Sequence, residues 1–477
     1  MLLQRPRITI SALKGGAGKT ILSLGITSAW RVKGQGVAVF KKGPDFIDSG
    51  WHAFAAGIPC YNLDPFLMTD LEIRRSFMTH SGGASISVIE GNRGLFDGAD
   101  LEGCCSTAAL ARMLHSPVVI VVDVTMATRT VAALVMGCQR FDPELRVAAV
   151  ILNRVAGSRQ ESLVRAAVER YCGLPVVGSV PKLKGNVFPE RHMGLVPHLE
   201  TAFAERAVQW TRDMAQQYLD IEALWKIAHE ASPLEEDSGE TAPRIPRGHE
   251  GFSPRIGVIR DSSFWFYYPE NIEQLRTLGA TVVEISSMGD KSLPELDALY
   301  IGGGFPEMQA GALADNVGFR ESLRRRIEEG LPVYAECGGL MYLGETLVLG
   351  ERRYPMVGAV PYDFVLEEKP QGHGYTVLEA TEPNPYFPVG EVLRGHEFHY
   401  SRAVVRGSGP IHTAFKVLRG HGLDGGRDGL CRKNLLATYT HLHAGGNSLW
   451  GRSLLQAAIA FARQKARGFS GGSEKKD

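Results

Sequence analysis

No surplus of charge marks this chain: 52 lysines and arginines balance 52 aspartates and glutamates. Without a net field nothing draws the whole molecule onto nucleic acid or an acidic membrane, so neither is an expected partner. An anionic ligand must meet a local site instead. The seven cysteines (Cys60, Cys104, Cys105, Cys138, Cys172, Cys337 and Cys431) are odd in number and contain no Cys-x-x-Cys pair. That argues against a disulfide framework and a structural zinc site, and suits a reducing, cytoplasmic setting. Long hydrophobic runs are missing as well. The longest, around 118–124, is far too short to span a bilayer and suits a buried parallel strand. Residues 1–7 show no basic start followed by an apolar stretch, so no signal peptide is expected.

At 477 residues, with 44% hydrophobic and 22% charged residues, the chain is globular in composition and too long for one core. Short apolar runs at 8–13, 37–40, 86–90, 118–123, 147–153 and 176–180 alternate with helical patterns at 21–32, 108–114 and 161–171. This alternation predicts a parallel sheet with helices on both faces. A polar stretch rich in Pro and Gly around 232–254 reads as a linker. Strands are expected again at 255–260, 281–285, 298–301 and 332–335. Antiparallel strands are expected at 357–360, 372–380 and 395–400, and a last strand at 435–439 leads to a helix at 453–466. The expected layout is one domain over 1–231, a linker over 232–253, a second α/β domain over 254–467 and a disordered tail over 468–477.

Directly after the first strand stands Lys14-Gly15-Gly16-Ala17-Gly18-Lys19-Thr20. Gly16 and Gly18 let backbone N–H groups turn toward phosphate oxygens. Lys19 brings a point charge to the β- and γ-phosphates, and Thr20 brings a hydroxyl to Mg²⁺. The helix that follows presents its positive end to the anion. ATP and Mg²⁺ are therefore the expected cofactors. The usual spacing places Gly where this chain has Leu13, so the loop is the deviant form with an extra Lys14. Such a loop is also similar to that of partition-type switch ATPases. From sequence it stays open whether Lys14 reaches its own nucleotide or that of a second subunit in a homodimer.

Two acidic segments follow strand ends. Lys41-Lys42-Gly43-Pro44-Asp45-Phe46-Ile47-Asp48 sets cations beside carboxylates on a Gly-Pro turn, and Glu90 begins a Gly-rich run that ends at Asp97-Gly98. Carboxylates at the C-terminal ends of parallel strands lie at the ligand crevice of such folds. Glu90 could hold Mg²⁺ directly or through water, and Asp97 could orient a reacting group.

These segments, together with Arg191-His192-x-Gly194-Leu195-Val196-Pro197, resemble the cobyrinic acid a,c-diamide synthase family over nearly the whole chain. The resemblance implies a P-loop, dethiobiotin-synthetase-like parallel sheet domain followed by a class I glutamine amidotransferase-like α/β domain. It places Lys19, Thr20 and Glu90 in the nucleotide and Mg²⁺ group, and Lys41 on the phosphate side. It implicates Asp45, Asp48 and Asp97 in substrate binding and catalysis. Lys14 and the pair Asn92-Arg93 depart from the family's frequent residues. Asn92, Lys42 and the stretch 99–103 instead resemble a sirohaem-amidating subgroup, so sirohaem or sirohydrochlorin competes with cobyrinate as substrate.

In the second half, residues 331–341 read as a strand, a sharp turn at Cys337-Gly338-Gly339, and a helix. This turn exposes a nucleophile at a sheet edge, and a helix N-terminus is expected to lower the thiol's pKa. The glycines of 302–304 offer backbone N–H groups for an oxyanion hole, Gly303 and Gly304 acting with Gly338. His441 ends the last strand. Arg394-Gly395-His396-Glu397-Phe398-His399 resembles a signature of the cobyrinic and cobyric acid synthase branch. By that resemblance Cys337 is the nucleophile and His441 its base. Many related glutaminases carry Glu two residues after the His. Here His443 stands in that place, and Glu397 and His399 are the alternatives for orienting His441.

The implied reaction takes L-glutamine and ATP, phosphorylates a tetrapyrrole carboxylate, and lets ammonia displace the phosphate, passing between domains out of reach of water. A nucleotide-switched binding ATPase would need no glutaminase domain. A non-catalytic tetrapyrrole carrier would need neither catalytic constellation.

Overall fold

The computed structural model describes residues 1–183, 190–191, 194–195, 201–235, 252–406 and 412–470. His192, Val196 and Pro197 of the 191–197 motif, the linker expectation from 236 to 251 and the tail from 471 lie outside them. The chain divides into two compact units, Met1–Thr241 and Ala242–Asp477.

The first unit is built on a seven-stranded parallel sheet. Its order is Cys60–Leu63, Val37–Lys42, Ile86–Glu90, Arg7–Ala12, Val118–Asp123, Val147–Val155 and Val176–Pro181. Strand alternation explains why both faces are apolar. Val119 and Val121 enter a core with Leu22 and Ile26, whereas Val118, Ile120 and Val122 enter another with Val131, Val135 and Val164. The helix after the phosphate loop, Lys19–Val32, starts two residues earlier than its apolar pattern suggests. Gly18, its N-cap, takes φ 95° and turns the chain directly into it. Among the elements the sequence reading did not name are the edge strand Cys60–Leu63 and the helix Phe46–Ala56. Asp45 caps that helix by accepting from the Asp48 N–H at 2.9 Å. The segment 41–48 is thus a strand end and a helix start joined by a short turn.

The second unit holds a ten-stranded mixed sheet. Thr281–Ile285, Arg255–Ile259, Ala298–Ile301, Val333–Glu336 and Leu435–Thr438 run parallel. Arg427–Arg432, Thr413–Arg419, Gly372–Ala380, Val392–His399 and His441–Leu442 continue it antiparallel. The expected strand at 357–360 is not one. Its apolar residues are buried as irregular chain, and the N–H groups of Val357, Ala359 and Val360 donate to the carbonyls of Tyr342 and Leu343. They close the end of the helix Gly338–Leu343, whose last carbonyls have no partner within the helix. The C-terminal helix is Leu449–Ser470, longer than expected at both ends. Among the described residues no helix is long and apolar enough to cross a membrane.

Candidate active sites

In the first unit, Gly16 and Gly18 take φ 69° and 95°, left-handed values that a side chain would strain. A Cβ on Gly18 would also lie 2.5 Å from Asn153 Nδ2. That amide donates to the Ala17 carbonyl at 2.8 Å and braces the loop from the end of another strand. Lys19 Nζ donates to the Arg93 carbonyl at 2.7 Å, which is possible because Arg93 itself sits at φ 49°. Burial pushes the Lys19 amine down, and the charge of Glu90 works against that. Lys14 is exposed.

Glu90 is the hub of the site, with no exposed surface. Its Oε1 accepts from Thr20 Oγ1 at 2.7 Å and from Lys41 Nζ at 3.0 Å, and its Oε2 meets His52 Nε2. Lys41 also holds Asp48 Oδ2 at 2.6 Å, and Thr20 Oγ1 lies 3.5 Å from the same oxygen. Burial drives Glu90 up, but Lys41 and His52 outweigh it and hold the carboxyl below the usual range. Burial likewise works against the charge on Lys41, and Asp48 and Glu90 overcome it and raise it. Asp45 is pushed up to about 7, first by burial and then by the charge of Asp48. Asp97 Oδ2 accepts from the Gly94 N–H at 2.8 Å, and its charge is felt at Lys19. The fold therefore gathers Lys19, Thr20, Lys41, Asp48 and Glu90, ties Asp97 to the Gly94 N–H next to the Arg93 carbonyl that Lys19 bonds, and gives Asp45 a capping role.

The oxygens of Thr20, Asp48 and Glu90 are hard donors and fit Mg²⁺ bound through one or two carboxylates plus phosphate oxygens. Among the described residues no cluster of three or more His, Cys, Asp or Glu is placed to hold a metal ion.

In the second unit Cys337 joins the strand Val333–Glu336 to the helix Gly338–Leu343 at φ 46° and ψ −101°. Such a backbone costs on the order of 1–3 kcal/mol and persists only where its surroundings force it. Gly338 and Gly339 allow the forcing. A Cβ on Gly339 would lie 2.6 Å from the Ile301 carbonyl oxygen, and one on Gly338 would lie 3.0 Å from the Gly304 nitrogen. A Cβ on Gly303 would lie 2.3 Å from His441 Cε1, so the imidazole rests on that glycine. Gly303, Gly304, Gly338, Cys337 and His441 thus converge.

The expected acidification of the thiol is not found. Burial pushes Cys337 up, the charge of Glu307 adds to this, and the Gly338 N–H offsets only part of it. The helix behind the thiol has six residues, too little to outweigh desolvation. Burial thus favours the neutral thiol over the thiolate.

A further carboxylate lies beside His441. Glu336 Oε2 lies 3.5 Å from His441 Nδ1, both residues being buried. Tyr300 OH donates to Glu336 Oε2 at 3.0 Å, and the Leu442 N–H donates to Oε1 at 3.0 Å. Neither earlier alternative stands there. Glu397 accepts from the His421 and Gly422 N–H groups and faces His399 at 3.5 Å. His443 faces Glu270 at 3.5 Å. The 394–399 segment supports the site in other ways. The Phe398 carbonyl lies 3.8 Å from Cys337 Sγ, and His396 stacks on His441 with ring centroids 4.9 Å apart.

Residues 8–195 match the CobQ/CobB/MinD/ParA nucleotide binding domain, and residues 255–449 match the CobB/CobQ-like glutamine amidotransferase domain. A cobyrinate a,c-diamide synthase of Magnetococcus marinus is 42% identical over 446 residues, which cover 93% of this chain and 95% of that protein. This chain belongs to the cobyrinate a,c-diamide synthase family. Proteins of the same name from Archaeoglobus fulgidus and Listeria innocua are 39% and 38% identical. They cover 92% of this chain in each case, and 94% and 96% of their own lengths. Like other members of the cobyrinate a,c-diamide synthase family, the chain is an amide-forming ligase with a nucleotide-binding domain and a glutaminase domain. The matches run through both units, which a lone switch ATPase would not produce.

Sequence reasoning missed three residues of these sites. His52 follows Asp48 by four positions and shares its helix face, a pattern visible once Phe46–Ala56 is known to be helical. Asn153 ends a strand on the loop side of the sheet. Glu336 precedes the nucleophile directly, where strand periodicity alone makes it one more strand residue.

Proposed function

We propose that the chain amidates the a and c acetate carboxylates of cobyrinate, using ATP and glutamine, in a cytoplasmic setting. The observation that supports this most is the likeness to cobyrinate a,c-diamide synthases along 93% of the chain. Two separate buried constellations, one in each unit, supply the chemistry.

Glutamine is opened in the second unit. Cys337 Sγ attacks the side-chain carboxamide carbon while His441 takes the thiol proton, and N–H groups of Gly303, Gly304 and Gly338 receive the developing oxyanion. His441 returns the proton to the leaving nitrogen, ammonia departs, and water hydrolyses the thioester to glutamate. Glu336 holds the imidazole in the tautomer this needs. Glu336→Gln should lower kcat of glutamine hydrolysis roughly 10²–10⁴-fold with little change in KM. A steady-state assay with an unchanged kcat would remove Glu336 from that role.

In the first unit a carboxylate oxygen of the tetrapyrrole attacks the γ-phosphorus of ATP. ADP leaves, and an acyl phosphate forms. Lys19 and Lys41 oppose the negative charge of the transfer. Asp45 and Asp48 contact the substrate, and Asp97 orients the reacting carboxyl. Mg²⁺, held by Thr20 and Glu90 with phosphate oxygens, would neutralise charge on the β- and γ-phosphates. Ammonia then attacks the acyl carbon and expels phosphate, which leaves the amide.

The test is a panel of cobyrinic acid, hydrogenobyrinic acid, sirohydrochlorin and sirohaem, each incubated with MgATP and glutamine. Mass spectrometry should show cobyrinic acid losing about one mass unit for each of two carboxyls converted. Amidation of sirohaem or sirohydrochlorin alone would move the substrate. ATP hydrolysis with no amidation of any of the four would overturn the reaction.

A further inference from the structure

Lys41 and Lys42 are successive residues of the strand Val37–Lys42, so their side chains leave it on opposite faces. Lys41 is fully engaged by Asp48 and Glu90. Lys42 is not. It is 5% exposed, yet among the described residues its Nζ takes part in no hydrogen bond and no ion pair within 4 Å. Its neighbour Gly43 packs on Asn92, the neighbour of Arg93: a Cβ on Gly43 would lie 2.9 Å from Asn92 Nδ2. Asp64, whose charge favours the protonated Lys42, accepts at Oδ1 from the N–H groups of Phe66 and Leu67 at 2.7 and 3.3 Å. Arg93 is exposed, and its guanidinium forms no ion pair among the described residues.

The Lys42 side chain is enclosed, yet its Nζ is not one of the buried polar atoms without a partner, so the ammonium keeps a path to solvent. Among the described residues no protein group pairs that charge, which leaves it open to an anionic ligand. We propose that Lys42 and Arg93 form a subsite for carboxylate side chains of the tetrapyrrole that are not being amidated. The inference rests on the function proposed above. A carboxylate is favoured over a phosphate because Lys42 leaves its strand on the face opposite Lys41, and Lys41 is the lysine that shares Glu90 with Thr20 of the phosphate loop. The subsite would let one unreactive acid group anchor the macrocycle while another meets the γ-phosphate.

The experiment compares wild type with Lys42→Gln, using cobyrinate and its peripheral methyl ester as probes, with binding read from the absorbance of the macrocycle. Loss of one charge-assisted contact should raise KM for cobyrinate about tenfold to a hundredfold, at unchanged kcat and unchanged KM for ATP. Wild type should bind the ester more weakly than the acid, and the variant should narrow that gap. A rise in KM for ATP instead would assign the anion to phosphate and overturn the proposal, as would equal binding of acid and ester by wild type. Wild type that binds no tetrapyrrole at all would remove the functional reading together with the subsite. Wild type that binds and a variant that binds equally well would remove the subsite alone. Should Lys42→Gln not fold, Lys42→Met leaves no polar group buried and gives the same comparison.

Discussion

Cys337→Ala is expected to eliminate glutamine-dependent amidation, a loss of at least about 10³-fold, while amidation from added ammonium salts continues at the wild-type rate. The expectation follows from the separation of the two constellations. The thiol is enclosed by groups of its own unit: the Phe398 carbonyl, the Gly338 N–H and the charge of Glu307. The acyl phosphate chemistry is assigned to Lys19, Lys41 and Glu90 in the other unit. Removing one sulfur also relieves nothing in the phosphate site. Assays with glutamine and with ammonium chloride on the same preparation decide the matter. Loss of both activities in a folded variant would sink the division of labour.

Glu90→Gln should have the opposite signature. Amidation should fall on the order of 10²–10³-fold with either nitrogen source, while glutamine hydrolysis persists. A neutral amide cannot balance Lys41 and His52 at once, so Lys41 is left with Asp48 alone and Thr20 loses a charged acceptor. Breaking a buried ion pair costs about 3–5 kcal/mol, so thermal melting is followed alongside. The retained glutaminase reports that the rest of the chain is intact. Full synthesis with ammonia would show that Glu90 is structural only.

Much of this was readable in the sequence because strong periodicity leaves few choices. Val118–Asp123 can be little else than a strand covered on both faces, and the phosphate loop has meaning only between a strand and a helix. Segments with mixed cues read less well. The polar run after Lys42 resembles a loop, and this concealed the helix Phe46–Ala56 and with it His52. The short apolar run 357–360 fits a strand by composition, yet its N–H groups are spent on the helix behind Cys337. The state of the thiol depends on how deeply it is buried, which no local pattern reports. Lys42 reads as a solvated strand-end lysine until the packing around it is known.

Glu336 and Cys337 are neighbours in the chain, and this limits how the glutaminase can go wrong. Two corners of the proposed Glu–His–Cys triangle share a peptide bond, so their Cα atoms stay about 3.8 Å apart whatever the packing does. Only the third corner, His441, arrives on a separate strand, where Gly303 beneath it and His396 beside it restrain the ring. A displacement between strands therefore acts first on the paths that meet at the imidazole, while the Glu336 carboxylate is held by Tyr300 OH and the Leu442 N–H. The element that most directly sets the shape of the triangle is then the short strand His441–Leu442.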